Sequence, residues 1–303
     1  MSAPSSLYDP ELAGPAVTTL GESPLWHPQE QCLYYVDIAE RQVLCLPQIG
    51  AQPQRWVLPA EPACLAALEG GGLLIAARDG LWRLDTRSGA LSFVASPPYD
   101  PALQRFNDGK PDALGRLWVG TIDDRRRPDS ALWRFDGAGF ASLAEGITTS
   151  NGLAWSPDQR TLYCSDTRAH QVYAYDFDLS SGTLGERRVF AEFAPRAADQ
   201  PLQSYGGRPD GAAVDAEGCY WVAMFEGQCL NRFAPDGRLL RTLPLPVRCP
   251  TMPTFGDADL RTLYITTARE NRPEAELQAQ PWAGCVLRVR VEVPGLPAHL
   301  ARL

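Results

Sequence analysis

The chain has 303 residues, 45% of them hydrophobic and 21% charged, with a formal net charge of −8. That apolar content suffices for a large core and excludes wholesale disorder, while the acidic balance argues against a general binder of nucleic acid or anionic membrane, either of which needs a basic face. No apolar run approaches the ~20 residues of a membrane helix, and the start, MSAPSSLYDPELAGP, lacks a basic region followed by an apolar one, so a cytoplasmic protein is expected.

After a loose tail predicted over residues 1–14, the chain reads as short apolar strands punctuated by turns. One phrase recurs in order: Leu-Tyr-Tyr-Val (33–36), Leu-Leu-Ile-Ala (73–76), Leu-Trp-Val-Gly (117–120), Leu-Tyr-Cys-Ser (162–165), Tyr-Trp-Val-Ala (220–223) and Leu-Tyr-Ile-Thr (263–266). Their second residues stand at 34, 74, 118, 163, 221 and 264, giving steps of 40, 44, 45, 58 and 43. Each copy follows a turn and precedes a second strand, from Gln-Val-Leu-Cys-Leu (42–46) to Gly-Cys-Val-Leu-Arg-Val (284–289), and a third, outer run tends to appear after that. About four strands per 40–45 residues is the sequence signature of a propeller blade. A β-sandwich would not repeat one two-strand phrase in this order, and the period-2 texture excludes a helical solenoid.

The predicted fold class is therefore all-β: a single six-bladed β-propeller over residues 15–303, with the segment near Val17–Leu20 supplying the strand that closes the ring against the last blade. A closed ring leaves no edge that demands a partner, so a monomer or weak homo-oligomer is expected. The eight cysteines form no CxxC pair and fall mostly in apolar stretches, as buried reduced thiols do.

One phase of the repeat carries polar residues. Glu22, Asn107, Asn151 and Asp210 each stand five places before a turn anchor, namely His27, Asp112, Ser156 and Asp215. The other two blades place Ala63 or Cys64, and Thr251 or Met252, at that phase. In a propeller this position opens the innermost strand, so the four side chains converge on the central channel. Clustered carboxylates repel unless a cation lies between them, and an all-oxygen donor set suits Ca²⁺, Mg²⁺ or Mn²⁺. The competing reading is that these residues hydrogen-bond the blade turns, as Asx residues do. The three histidines do not supply a metal cluster or a catalytic triad. His27 falls in a turn, His170 opens a strand near the rim, and His299 lies beyond the last repeat.

Four phrases flank these positions in order: Gly-Glu-Ser-Pro-Leu-Trp (21–26), Arg-Phe-Asn-Asp-Gly-Lys (105–110), Ser-Asn-Gly-Leu-Ala-Trp-Ser-Pro-Asp (150–158) and Arg-Pro-Asp-Gly (208–211). Together they resemble the gluconolactonase/regucalcin (senescence marker protein) family, over about residues 17–290. The resemblance implies one divalent ion in the channel, calcium foremost, with zinc, magnesium, manganese and iron(II) as alternatives. It implies Glu22, Asn151 and Asp210 as metal ligands, Asp210 as general base, and Arg105 and Asn107 as substrate contacts. Some animal members carry a substrate-binding glutamate after the third blade's Gly-Thr. Here that stretch is Gly120-Thr121-Ile122-Asp123-Asp124-Arg125, with Asp123 or Asp124 as the substitute.

The expected activity is metal-assisted opening of a sugar lactone to its hydroxy acid; no GxSxG elbow offers a covalent route. The long fourth step places an insertion at 191–208, expected to overhang the channel with Tyr205 or Arg208 in reach of substrate, against the alternative of a solvated loop. The loop 123–129 is a second candidate to line the rim, against the favoured reading of its three adjacent arginines as a solvated turn. Two other functions use the same features: hydrolysis of other esters or organophosphates, and a non-enzymatic calcium-binding propeller.

Overall fold

A computed structural model describes residues 7–303. Its strands form six four-stranded antiparallel sheets. Strand β1 (Glu11–Val17) is followed by the first blade, β2 (Gly21–His27), β3 (Cys32–Asp37), β4 (Gln42–Leu46) and β5 (Gln54–Val57). The second is β6 (Pro62–Ala67), β7 (Leu73–Ala77), β8 (Gly80–Leu84) and β9 (Leu91–Ala95); the third is β10 (Gln104–Pro111), β11 (Leu117–Asp123), β12 (Ser130–Phe135) and β13 (Phe140–Ile147). The fourth comprises β14 (Ser150–Trp155), β15 (Thr161–Asp166), β16 (Gln171–Asp178) and β17 (Thr183–Glu192), and the fifth β18 (Arg208–Val214), β19 (Tyr220–Phe225), β20 (Cys229–Phe233) and β21 (Leu239–Pro244). The sixth contains β22 (Pro250–Gly256), β23 (Thr262–Thr267) and β24 (Cys285–Arg290), with the short helix α1 (Glu274–Ala279) before its last strand. The expected six-bladed propeller is observed.

The recurrent phrase is the second strand of each blade. Because blades stack face to face, both faces of that strand are covered, which is why β3, β7, β11 and β23 are buried at every position and read as continuous apolar runs. Aromatic residues fill the wedges between blades. Trp118 of the third blade meets Trp155 and Phe177 of the fourth edge-to-face, with ring centroids 6.1 and 5.4 Å apart. The outermost strands are largely exposed, as the alternation in Gln54–Val57 shows. All eight cysteines are free and buried, as expected.

The ring closes through β1, which pairs antiparallel with β24 and gives the sheet order β1-β24-β23-β22. The closing strand is therefore Glu11–Val17, a little earlier than the Val17–Leu20 segment expected from the sequence. It also moves the predicted boundary between tail and domain at residue 15 into the middle of a strand; residues 1–6 of that tail lie outside the described residues. Pairing with β24 orders residues 11–14, which composition assigns to the loose tail.

The turn anchors prove to be caps of the first hairpin in each blade. Asp112 accepts from the backbone of Leu114 and Arg116, Ser156 from Arg160 and Thr161, and Asp215 from Glu217 and Cys219. His27 Nδ1 accepts from the Glu30 backbone in the same way. These caps mark one end of the innermost strands. The residues five places earlier lie toward the other.

Candidate active site in the central channel

The innermost strands β2, β6, β10, β14, β18 and β22 pack against one another around the axis. Each breaks register with its neighbour within the same stretch: Glu22/Leu25, Pro62/Cys64, Phe106/Gly109, Asn151/Ala154, Pro209/Ala212 and Pro250/Met252. A bulge inserts one residue and re-aims a side chain. Residues Leu25, Ala66, Lys110, Ala154, Ala213 and Thr254 are paired with Tyr34, Leu74, Trp118, Tyr163, Trp221 and Tyr264 of the repeated phrase. Three places before each stand Glu22, Ala63, Asn107, Asn151, Asp210 and Thr251, so strand pairing selects Ala63 and Thr251 as the apolar and hydroxyl equivalents.

Four predicted residues form one hydrogen-bonded chain across three blades. Arg105 Nη1 donates to Asn107 Oδ1 (2.8 Å), Asn107 Nδ2 to Asn151 Oδ1 (2.8 Å), and Asn151 Nδ2 to Asp210 Oδ1 (2.6 Å). Asn151 Nδ2 also donates to Thr167 Oγ1 (2.8 Å), and Asn107 Nδ2 to the Ser150 carbonyl. Glu22 completes the group from the first blade. It lies within electrostatic range of Asp210, Asp108 and Arg105, and accepts from its neighbour's backbone at Ser23.

Burial dominates the electrostatics. It pushes the Asp210 carboxyl up to about 8, with the Asp108 carboxylate adding to the rise and Arg208 and Arg105 opposing it. Burial likewise raises Glu22 well above the usual carboxylate range, reinforced by Asp210 and Asp108. Three carboxyl groups thus lie within electrostatic reach of one another, Asp108 and Asp210 buried and Glu22 half-buried. Asp108 is 6% exposed, and its Oδ1 has no hydrogen-bond partner among the described residues. This chemistry fits a divalent cation: oxygen donors, excess negative charge, and proton uptake in its place when it is absent. Glu22, Asn151 and Asp210, and the unpartnered Oδ1 of Asp108, are the oxygen donors the group could offer it. A second acidic group, Asp215, Glu217 and Cys219, is close enough in geometry for a metal. There, however, Arg232 pairs with both carboxylates, at 2.7 Å from Asp215 and 2.8 Å from Glu217, and Trp221 Nε1 donates to Asp215, so the turn is internally satisfied.

The two remaining predicted contacts stand outside the chain of hydrogen bonds. Asp124 is exposed at the rim and bound by Arg78 Nη1 at 2.9 Å, an arginine that also pairs with Glu61. Tyr205 is 5% exposed, with its ring 6.3 Å from that of His170. Arg208 stacks 5.0 Å over Phe225 and lies 3.5 Å from Glu226. Its charge reaches Asp210.

Sequence reasoning passed over Asp108, Lys110 and Thr167. Asp108 Oδ2 accepts from the Leu153 backbone (2.8 Å), as Ser23 Oγ in the first blade accepts from Leu65 (2.9 Å). Each ties its own bulge to the next blade, and the shared phase directly after Asn107 and Glu22 was a visible signal. Lys110 Nζ donates to the Ala212 carbonyl and lines a cavity of about 110 Å³, which the tail residues Leu296–His299 also line. His299 is therefore a lining residue of that cavity, away from the carboxylates.

Residues 20–269 match the family described as SMP-30/Gluconolactonase/LRE-like region. The chain belongs to this family. It is 42% identical over 280 residues to a 6-deoxy-6-sulfogluconolactonase of Pseudomonas putida, covering 92% of this chain and 93% of the relative. It is 31% identical over 290 residues to regucalcin of Gallus gallus, covering 92% and 94% of the two. Among solved structures, a calcium-binding regucalcin from Agrobacterium tumefaciens superposes with a TM-score of 0.87 at 28% identity over 95% of both chains. The family resemblance expected from four short phrases thus extends to the whole propeller. Among the described residues, no helix is long and apolar enough to cross a membrane.

Proposed function

We propose that the chain is a carboxylic ester hydrolase of the lactonase type, opening a sugar lactone to the aldonic acid at the channel site with Asp210 as general base. The observation that carries this reading is the continuous chain Arg105–Asn107–Asn151–Asp210, which sets neutral and cationic hydrogen-bond donors beside a buried base. Membership of a gluconolactonase-like family, and a relative named for a sulfonated gluconolactone, support the substrate class.

Glu22, Asn151 and Asp210 would hold the divalent ion, which when bound supplies Lewis-acid polarisation of the ester carbonyl. The chain's own residues do the rest. Arg105 and Asn107 hold ring oxygens and fix the angle of attack. Asp210 takes a proton from the attacking water as its oxygen adds to the carbonyl carbon. The ring C–O bond then breaks, and the departing ring oxygen recovers a proton, giving carboxylate and hydroxyl. The buried walls limit competing water. Asp108, below the site, adds negative potential that strengthens Asp210 as a base.

The test is acid release from a panel of aldonolactones, including a sulfonated one, with metal-stripped protein re-supplied with Ca²⁺, Mg²⁺, Mn²⁺, Zn²⁺ or Fe²⁺ and spontaneous hydrolysis subtracted. Metal-dependent turnover that disappears in Asp210→Ala supports the reading. Absence of turnover with every lactone and every ion overturns it.

A further inference from the structure

We propose that the channel mouth is an oxyanion site, in which Arg126 and Arg168 receive a sulfonate or phosphate group carried at the far end of the lactone. The inference rests on the lactonase reading and adds to it a chemical class of substrate and two specificity-determining residues.

The first observation separates the arginine triplet of the 123–129 loop into different roles. Arg125 and Arg127 both reach back to Asp123, at 3.5 and 3.3 Å, and Arg127 also pairs with Asp129 at 2.6 Å. Arg126 sits at the turn between them, its backbone N–H donating to the Asp123 carbonyl at 2.8 Å, and among the described residues no carboxylate lies within 4.0 Å of its guanidinium. The two flanking pairs use up the local negative charge and leave the middle arginine exposed and uncompensated.

Arg168 arrives at the same rim from the fourth blade. It follows Thr167, whose hydroxyl accepts from Asn151 at 2.8 Å, so it stands one residue from a contact of the site itself. The adjacent Asp166 does not balance it, because that carboxylate caps the backbone N–H groups of Thr148, Thr149, Arg168 and Ala169 at 2.8 to 3.3 Å. Arg168 too makes no ion pair with a described carboxylate.

The two loops are joined at one residue. Ile122, just before the arginine loop, bridges Thr149, and the Thr149 carbonyl accepts from the Thr167 backbone at 3.1 Å. Both arginines therefore hang from the edge of the opening above Arg105, Asn107 and Asn151. Their charges act on one another: Arg126 lowers the proton affinity of both Arg105 and Arg168, behind the larger effect of burial in each case. A chain of net charge −8 has set two guanidinium groups without an ion-paired described carboxylate, Arg126 and Arg168, above Arg105, whose own charge is offset in part by Glu22. Such a rim focuses anions, and the planar fork of arginine matches a tetrahedral oxyanion in two hydrogen bonds. With the lactone carbonyl over Asp210 and ring oxygens at Arg105 and Asn107, the exocyclic end of the sugar is the part left facing the mouth.

The experiment compares kcat/KM for gluconolactone, its 6-phosphate and its 6-deoxy-6-sulfo analogue in wild type, Arg126→Ala, Arg168→Ala and the double variant, at low and physiological ionic strength. We expect at least one anionic lactone to exceed the neutral one by tenfold or more. The double variant should cut that ratio at least tenfold, mainly through KM, and added salt should shrink it in wild type. Preference for one anion over the other distinguishes sulfonate from phosphate recognition. Equal kcat/KM for neutral and anionic lactones, or a ratio unmoved by the double variant, overturns the proposal. If no lactone turns over, the lactonase reading fails, and the mouth is then judged by calorimetry with gluconate and gluconate 6-phosphate. Tenfold tighter binding of the phosphate that the double variant abolishes supports the oxyanion site, and equal binding overturns it.

Discussion

Nδ2 of Asn151 donates to Oδ1 of Asp210 across 2.6 Å, joining the fourth blade to the fifth at the propeller axis. Both residues lie at the register break of an innermost strand, and both are nearly sealed, at 5% and 6% exposure. The pairing makes the position of the base depend on a neighbouring blade. Replacing either end therefore separates chemistry from folding.

Asp210→Asn keeps the shape and the contact with Asn151 while removing the base. It should lower kcat by about 10²–10⁴-fold, with a thermal midpoint no lower than that of wild type in metal-free buffer. Glu22→Gln should act chiefly on metal affinity, read as a right shift in the calcium or zinc dependence of turnover. A kcat for Asp210→Asn within threefold of wild type would exclude it as the base.

The raised carboxyls give a pH signature. Burial takes Asp210 from the model-compound value of 3.8 to about 8 and raises Glu22 in the same direction. Between those limits the folded, metal-free protein holds more protons than the unfolded chain, so its stability should fall as pH rises from about 4 to 8. Metal displaces these protons, so its apparent affinity should tighten with pH and level off above about 8. Melts of metal-stripped and metal-loaded protein across this range check both slopes, and Asp210→Asn should flatten the first.

Gly152 is the residue through which the fourth bulge is built. Its φ is +61°, and an added Cβ would collide with Ser165 Oγ, Tyr220 Oη and the Asp210 carbonyl. Gly152→Ala therefore combines left-handed strain with overpacking and should cost about 2–4 kcal/mol. Because Asn151 precedes it and Tyr220 bonds its carbonyl at 2.8 Å, activity per folded molecule should also drop. Unfolding in urea together with active-site titration separates the two losses.

Asp215 offers the opposite case. It is fully buried and accepts from Glu217, Cys219, Trp221 and Arg232 at 2.8 to 3.0 Å, at the end of the strand remote from the base. Asp215→Ala leaves Arg232 with Glu217 alone and removes the acceptor of Trp221 Nε1 and of two backbone N–H groups, so it should destabilise by about 1–3 kcal/mol. Its kcat at a temperature where the variant is folded should stay near wild type. A loss of kcat matching that of Asp210→Asn would contradict the division between turn anchor and site residue.

The recurring phrase, its spacing and the phase of Glu22, Asn107, Asn151 and Asp210 were legible in the chain because a propeller is built from repeated local hairpins. Each blade writes its own strand pattern, and rotational symmetry converts equal phase into convergence on the axis. The four short phrases around those residues carried the family for the same reason. The sequence by itself therefore determined the six blades, the all-β class and the polar ring of the channel.

What only the tertiary structure decided lies between blades, where phase says nothing. That Tyr205 is buried beside the ring of His170 depended on the path of residues 193–207, and the partner of Asp124 proved to be Arg78, 46 positions away. The closing strand was Glu11–Val17 because β24 offered a free edge there, a pairing across most of the chain. Asp108 became a clamp on the next blade, and Arg126 lost its carboxylates to the arginines on either side. In each case the outcome was a competition among distant side chains for the same hydrogen bond or charge, and that competition exists once the ring has closed.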